Sequence, residues 1–134
     1  MTMKHQDRID HFQRKLDHEL DSADLYAAIE AGERIVVVDT RTRDAYATEH
    51  IPAAINLPHR EMNEGSVADL DRDVLYVTYC DGIGCNASTK GALKLASMGF
   101  DVKELVGGLD WWKRDGHSTG GREGRAGQQF QCAC

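Results

Sequence analysis

No apolar run in this 134-residue chain is long enough to cross a bilayer, which excludes a transmembrane helix. Residues 1–7 are polar and offer no apolar signal region, so no export, no membrane partner and a cytoplasmic location are expected. Positive charge is in deficit. Against 22 Asp and Glu stand 16 Lys and Arg, a formal charge of −6, which argues against a nucleic-acid partner. Cysteine is scarce and clustered: Cys80 and Cys85 share one loop, and Cys132 and Cys134 sit at the C-terminus. That is not the framework of a small disulfide-stapled secreted domain. In a reducing compartment it favours a reactive thiol, a redox pair or a metal. Arginine is absent from residues 73–101, the stretch that holds the first two cysteines. The length allows one domain with a real core and is too short for two.

What the chain does have centres on residues 74–90. They read as a buried strand, a loop containing Gly82, Gly84 and both cysteines, and the start of a helix. Cys80 ends the strand and faces a loop that feeds a helix N-terminus, a place where a thiolate is stabilised. It is the candidate nucleophile.

The flanking segments describe how such a centre could be housed. Residues 8–20 carry Ile9, Phe12, Leu16 and Leu20 on one side of an amphipathic helix, whose stripe is expected to pack on the domain or on a second subunit. Its polar faces hold His5, His11 and His18, read as a solvated surface rather than a metal cluster. Ser22 reads as an N-cap for a helix over residues 23–31 that Gly32 closes. Residues 35–38 are a continuous β-branched run, the pattern of a parallel strand buried on both faces, and Asp39-Thr40-Arg41 follow at its carboxyl end. A short helix is expected over 43–48, a short strand around Ile55 and Leu57 stopped by Pro58, and polar, helix-like or irregular chain over 59–71. Residues 75–79 are the strand before the cysteine loop. Residues 87–98 form a helix with Ala92, Leu95, Ala96 and Met98 on its apolar face, ended by Gly99. A strand over 102–106, a Gly107-Gly108 turn and a short helix over 109–115 with Trp111 and Trp112 complete the pattern. One tryptophan is expected beneath the loop, the other at a rim or subunit contact. From residue 118 glycine rises and apolar residues thin out, so 118–134 is read as a flexible tail ending in C-x-C. The expected organisation is an N-terminal helical extension over 1–21, a domain over 22–117 and that tail. Alternating helices and strands predict an α/β domain whose mainly parallel sheet is covered on both faces.

Several of these segments line up with one family. Val38-Asp39-Thr40-Arg41, Tyr46 and the run from Glu49 through His50-Ile51-Pro52-Ala53-Ala54-Ile55-Asn56-Leu57 to Pro58 resemble the "D-x-R … Y … G-H-I-P-G-A-x-N-I-P" pattern of rhodanese domains. Tyr79-Cys80 and its loop, Leu95, Gly99-Phe100, Val102, Leu105, Gly107-Gly108 and Trp112 resemble the family's second half. The chain thus resembles a single-domain rhodanese-like protein over residues 22–117, and most closely the subgroup whose loop reads Y-C-x-G-x-G-C-N. The resemblance implies a three-layer rhodanese-like fold and a thiosulfate sulfurtransferase-like enzyme. A persulfide on Cys80 would carry sulfane sulfur from a small donor to a thiol or cyanide-type acceptor, or to a sulfur-relay protein. No cofactor and no metal are implied, and the protein is expected to be a monomer or homodimer. Three departures stand out. The loop is about two residues longer than the common form, it lacks the arginines that suit thiosulfate while carrying Asp81, and the glycine before the family's histidine is Glu49.

A thiol near its ordinary pKa of about 8.5 is only a small fraction thiolate at neutral pH, so the site must supply positive potential. Main-chain N–H groups turned inward through Gly82 and Gly84, and the helix beginning near Ala87, can do so. Asp81, Gly82, Ile83, Gly84, Cys85, Asn86, Ala87 and Ser88 are the candidate cradle. Asn86, Ser88 and Thr89 can cap the helix or donate to the sulfur, and Lys90 is the nearest cation in sequence. Cys85 is either a small residue tucked under the loop or a resolving thiol; an exchange of roles is disfavoured by the strand-end placement of Cys80. Asp39 and Arg41 are expected to hold the loop and His50 to be structural, while His59 and Arg60, which follow Pro58, are only secondary candidates for lining the pocket. The C-terminal C-x-C is an incidental tail, a sulfur or electron carrier, or a soft-metal ligand pair. Two other functions fit the same fold: a non-catalytic or redox-sensing module using Cys80 and Cys85, and phosphatase or arsenate reductase chemistry. The last needs an arginine six residues after the cysteine, where Asn86 stands.

Overall fold

The computed structural model describes residues 2–128; Cys132 and Cys134 lie outside the described residues. Five parallel strands form one sheet, in the order β1 (Glu19–Leu20), β5 (Val102–Leu105), β4 (Leu75–Tyr79), β2 (Ile35–Asp39), β3 (Ile55–Asn56). The helices are α1 (Met3–His18), α2 (Ser22–Glu30), α3 (Arg43–Thr48), α4 (Ala87–Ser97) and α5 (Gly108–Arg114), with a single 3-10 turn at His59–Glu61. The β-branched run in β2 is a strand because both of its faces are buried. Val37 and Val77 join Leu25, Ile51, Leu105, Leu109 and Trp112 on one side, while Val38 and Tyr76 join Met62, Val67, Leu95 and Phe100 on the other. β4 lies at the centre of the sheet, so its carboxyl end, where Cys80 follows, is surrounded by the ends of its neighbours.

Helix α4 covers one face through Ser88, Gly91 and Leu95, a one-sided helical spacing. Gly91 permits the close approach: a Cβ there would sit 2.8 Å from Thr40 Cγ2 and 3.1 Å from Met62 Cε. Ala96, expected on the apolar face, is exposed, because the helix turns its 88–91–95 edge inward. The segment over 59–71, polar in composition, forms a 3-10 turn and irregular chain. It supplies Met62, Val67 and Leu70 to the core beneath α4. At α2 the N-cap is Asp21, whose side chain accepts from Asp24 N at 2.8 Å, and not Ser22. Ser22 is the first helical residue, fully buried, and its hydroxyl donates to the Asp115 carboxylate at the end of α5.

The N-terminal helix stops at His18. Glu19 turns extended, and Leu20 pairs with Leu105 in β1 instead of prolonging the helical stripe. The stripe does not pack on the domain: α1 buries no residue, and Ile9, Phe12 and Leu16 are exposed. No described helix is long and apolar enough to cross a membrane.

Residues 118–128 are not the loose tail expected from their composition. Arg122 N and Glu123 N donate to Ala47 O and Thr48 O at the end of α3, and His50 and Gly120 exchange both backbone hydrogen bonds. Trp112 Nε1 donates to Ser118 O at 2.9 Å. These glycines act by close approach rather than by mobility: a Cβ on Gly121, where φ is +97°, would sit 2.7 Å from Thr48 O. Trp112 is core, packed beside Leu109, whereas Trp111 is exposed.

His117 enters this corner stacked on Tyr26, centroids 4.3 Å apart, with Trp112 4.4 Å away; its Nε2 is buried without a hydrogen-bond partner among the described residues. Burial lowers its pKa below the ordinary 6.5, and Asp115 only partly offsets this. The folded state therefore binds the proton less readily than the unfolded chain. Stability present above pH 6.5 should be lost as pH falls from there through the depressed folded value. His117→Phe keeps the stacking and removes the proton. The drop in Tm between about pH 7.5 and about pH 5 should be smaller in that variant than in the parent, and equal drops would contradict the assignment.

Candidate active site

The site is built on one buried carboxylate. Register pairs Asp39 with Tyr79 at the ends of β2 and β4, and both side chains are fully enclosed. The Asp39 carboxylate accepts from Arg41 N (2.9 Å), Arg41 Nε (3.0 Å), Arg41 Nη2 (2.7 Å) and the Tyr79 hydroxyl (2.8 Å). Tyr79 OH in turn accepts from Ile51 N at 3.0 Å. Burial works against the Arg41 charge, but hydrogen bonds and charge from Asp39, with help from Asp81, outweigh it and hold the guanidinium above its ordinary pKa. Burial, and then the Asp39 charge, push the Tyr79 phenol upward, so it stays a donor. Arg41 reaches two further groups: Nη2 donates to Glu49 O at 2.6 Å and Nη1 to Asp81 Oδ1 at 2.9 Å.

Asp81 begins the cysteine loop, so the same arginine ties the loop to the sheet. Cys80, 2% exposed, directly follows β4. Its carbonyl accepts from Leu109 N at 2.9 Å, and that of Asp81 accepts from Asp110 N at 2.8 Å. These bonds come from the start of α5, which lies flush on the loop because Gly107 and Gly108 have positive φ, +84° and +57°. A Cβ on Gly108 would collide with the Cys80 carbonyl oxygen. Cys80 and Cys85 are joined as a disulfide, with Cα atoms 6.2 Å apart. The far half of the loop is held lightly: Cys85 N donates to Gly82 O at 3.2 Å, Ile83 is 82% exposed, and a Cβ on Gly84 would meet nothing.

A cleft of about 280 Å³ opens above the sulfurs, lined by Cys80, Cys85, Asp81, Arg41, His59 and Arg60 among others. His59 is oriented by its backbone: its N–H donates to Thr40 O at 3.1 Å, and its carbonyl accepts from Lys94 Nζ at 2.6 Å. Partial burial, then the charges of Lys94, Lys90 and Arg60, lower its pKa, so the ring is neutral near pH 7. The arrangement suits a thiol-based nucleophile beside a neutral imidazole, under rim cations able to attract an anionic sulfur compound.

Of the residues singled out from the sequence, Cys80, Asp81, Cys85, Ala87, Arg41, His59 and Arg60 meet at this cleft, while Asp39 supports it from below. Lys90 acts at a distance, through its charge on His59. Ser88 and Thr89 do not serve the sulfur. Both hydroxyls donate to Glu104 Oε2 on β5, at 2.7 and 2.6 Å, and Asn86 makes no side-chain cap. His50 is held by stacking on Tyr46 at 3.9 Å and by Nδ1 against Tyr46 O at 2.6 Å. Sequence reasoning missed Tyr79, Glu104 and Glu49. Glu49 is a clasp, accepting from Lys113 Nζ (2.8 Å), Thr119 Oγ1 (2.6 Å) and Arg125 Nε (3.4 Å). Its pKa is lowered: burial opposes the charge, but these donors outweigh it. The one advance signal for it was the acid standing where the family pattern has glycine.

The sequence model of the Rhodanese-like domain matches residues 21–115. The chain belongs to the rhodanese-like family. It is 35% identical over 94 residues to the HTH-type transcriptional regulator Rv0324 of Mycobacterium tuberculosis, an alignment covering 70% of this chain and only 41% of that protein. Against the thiosulfate sulfurtransferase GlpE of Coxiella burnetii it is 38% identical over 81 residues, 59% of this chain and 72% of the relative. Among solved structures, the BH2092 protein of Bacillus halodurans superposes with a TM-score of 0.86 at 39% identity, covering 96% of this chain and 94% of that one. Of these three, the GlpE protein is the one named as a thiosulfate sulfurtransferase, and the chain spans less than half the length of the Rv0324 regulator.

The buried network has an uneven energetic weight. The Arg41 side chain is 9% exposed and that of Asp39 0%, whereas the Asp81 side chain is 72% exposed. Arg41→Ala strands a buried carboxylate and should cost about 3–5 kcal/mol. Asp81→Asn removes only the solvated arm and should cost about 1 kcal/mol or less. Urea unfolding of the two variants checks the order; equal losses would refute it.

Proposed function

We propose that the protein is a sulfurtransferase in which Cys80 carries sulfane sulfur as a persulfide, within the subgroup whose loop reads Y-C-x-G-x-G-C-N. The observation that supports this most is the position of Cys80. It is enclosed, anchored through its own carbonyl to α5, and placed at the floor of a cleft at the carboxyl end of the central strand. With the disulfide opened, the Cys80 thiolate attacks the sulfane sulfur of a small donor and expels the remainder of that donor. The outer sulfur then passes to a thiol or cyanide-type acceptor, or to a relay protein. Loop N–H groups and the N-terminal end of α4 stabilise the anionic persulfide, with Arg60 supplying positive potential from the rim and Lys90 from further off. The names of the GlpE relatives agree with this activity.

A second reading, a redox-sensing module, is favoured by one observation, the Cys80–Cys85 disulfide itself. Phosphatase or arsenate reductase chemistry lacks its arginine, since Asn86 occupies the required place.

Reduced protein incubated with thiosulfate or inorganic polysulfide should gain one sulfur on Cys80, read by mass spectrometry of the intact and digested chain. Thiocyanate formation from cyanide should fall by about three orders of magnitude or more in Cys80→Ser, as loss of a covalent nucleophile does elsewhere. A Cys80→Ser protein that transferred sulfur at the parent rate would sink the proposal. Reversible loop oxidation without any sulfur uptake would favour the sensor.

A further inference from the structure

We infer that Cys85 is the internal acceptor of the Cys80 persulfide, so that the protein reduces sulfane sulfur to hydrosulfide and is returned to its dithiol form by an external dithiol reductant. This rests on the persulfide reading above. Three observations carry it. The two cysteines lie within bonding reach and are in fact bonded. Both line the one cleft in which the outer sulfur of a persulfide would sit. The loop is also anchored unequally. Cys80 and Asp81 are fixed by two hydrogen bonds from α5 and by Arg41, whereas the half that carries Cys85 has one internal bond, an open Gly84 and an exposed Ile83. A fixed, enclosed sulfur suits the carrier, and a sulfur on the movable arm suits the group that comes to it. The geometry therefore assigns the roles in one direction only.

The step balances. The Cys85 thiol attacks Sγ of Cys80 in the persulfide anion. The Cys85 Sγ–Cys80 Sγ bond forms, and the bond from Cys80 Sγ to the outer sulfur breaks. The outer sulfur leaves with the bonding electron pair and takes up the Cys85 proton, departing as hydrosulfide. The sulfane sulfur gains two electrons and the two cysteines lose them. A dithiol then exchanges with the Cys80–Cys85 disulfide, is itself oxidised to a disulfide, and restores both thiols.

The test uses the full chain with Cys132 and Cys134 replaced by Ser, so that thiol counts report on the loop alone. The reduced protein is loaded with inorganic polysulfide and freed of donor and reductant by gel filtration. It is then followed for released sulfide, free thiols and mass. With Cys85 present, about one equivalent of sulfide should appear as the disulfide forms, at least about tenfold faster than in Cys85→Ser or Cys85→Ala. Those two variants should hold the persulfide on Cys80. Persulfide lifetimes that match with and without Cys85 would overturn the inference and leave the Cys80 carrier standing. Absence of sulfur uptake by every form, the Cys85 variants included, would overturn both.

Discussion

The Asp39 carboxylate has to be satisfied without water, and much of the site follows from how that is done. A fully enclosed carboxylate is tolerated only when paired and hydrogen-bonded. Asp39 meets this with the bidentate guanidinium and the main-chain N–H of Arg41 and with the Tyr79 phenol from the neighbouring strand. Arg41 is thereby fixed in one orientation, and its remaining N–H groups reach the Glu49 carbonyl and Asp81. The donor that completes the shell, Tyr79, is the residue immediately before Cys80. The position of the sulfur is thus determined by the same bonds that satisfy the buried carboxylate.

That coupling explains the division of the loop. Its first half is held from three directions, by the sheet through the strand it continues, by Arg41 and by the start of α5. The second half is held mainly by its junction with α4. Gly108 is what lets α5 approach: any Cβ there would displace the Cys80 carbonyl, so the N–H of Leu109 could not reach it. Stiffness on one side and freedom on the other is what a carrier and a resolving thiol require of a shared loop. Thiol exchange needs three sulfurs brought into line, and of the two cysteines Cys85 sits on the half of the loop with fewer anchoring bonds.

Much of the scaffold was legible in the sequence because it rests on short-range rules. The β-branched run in β2, the glycine stops at Gly32 and Gly99, and the strand–loop–helix signature around Cys80 are local patterns with local causes. The elements that went astray depended on distant partners. Ser22 has the composition of an N-cap, but a carboxylate 93 positions later recruits its hydroxyl into the interior. Ser88 and Thr89 open a helix as capping residues would, yet Glu104 on a neighbouring strand takes both hydroxyls. The glycine-rich segment after residue 117 has a disordered composition, but a Cβ on Gly121 would strike the backbone at the end of α3, and one on Gly124 the segment's own backbone. In the site, the cysteines and the Asp39–Arg41 pair were readable from position alone. Tyr79 was not, because nothing local distinguishes a buried phenol that completes a carboxylate shell from one that merely fills space.

The charge arrangement bears on the kind of sulfur compound the cleft can favour. Arg41 faces the cleft, but two carboxylates already neutralise it, and Asp81 brings one of them to the loop. His59 is kept neutral by burial and by the very cations that surround it. The side-chain positive charge left for a ligand comes from Arg60 at the rim and, from further off, Lys90, joined by the N-terminal end of α4. A dianion needing two or three close donors would find less here than in a loop lined with arginines. A persulfide needs stabilisation of a single terminal sulfur, a smaller demand than a dianion makes. On the proposed reading, a loop without arginine that carries Asp81 and Cys85 has two consequences: weaker selection for a doubly charged donor, and a thiol placed where the transferred sulfur would otherwise wait for an outside acceptor.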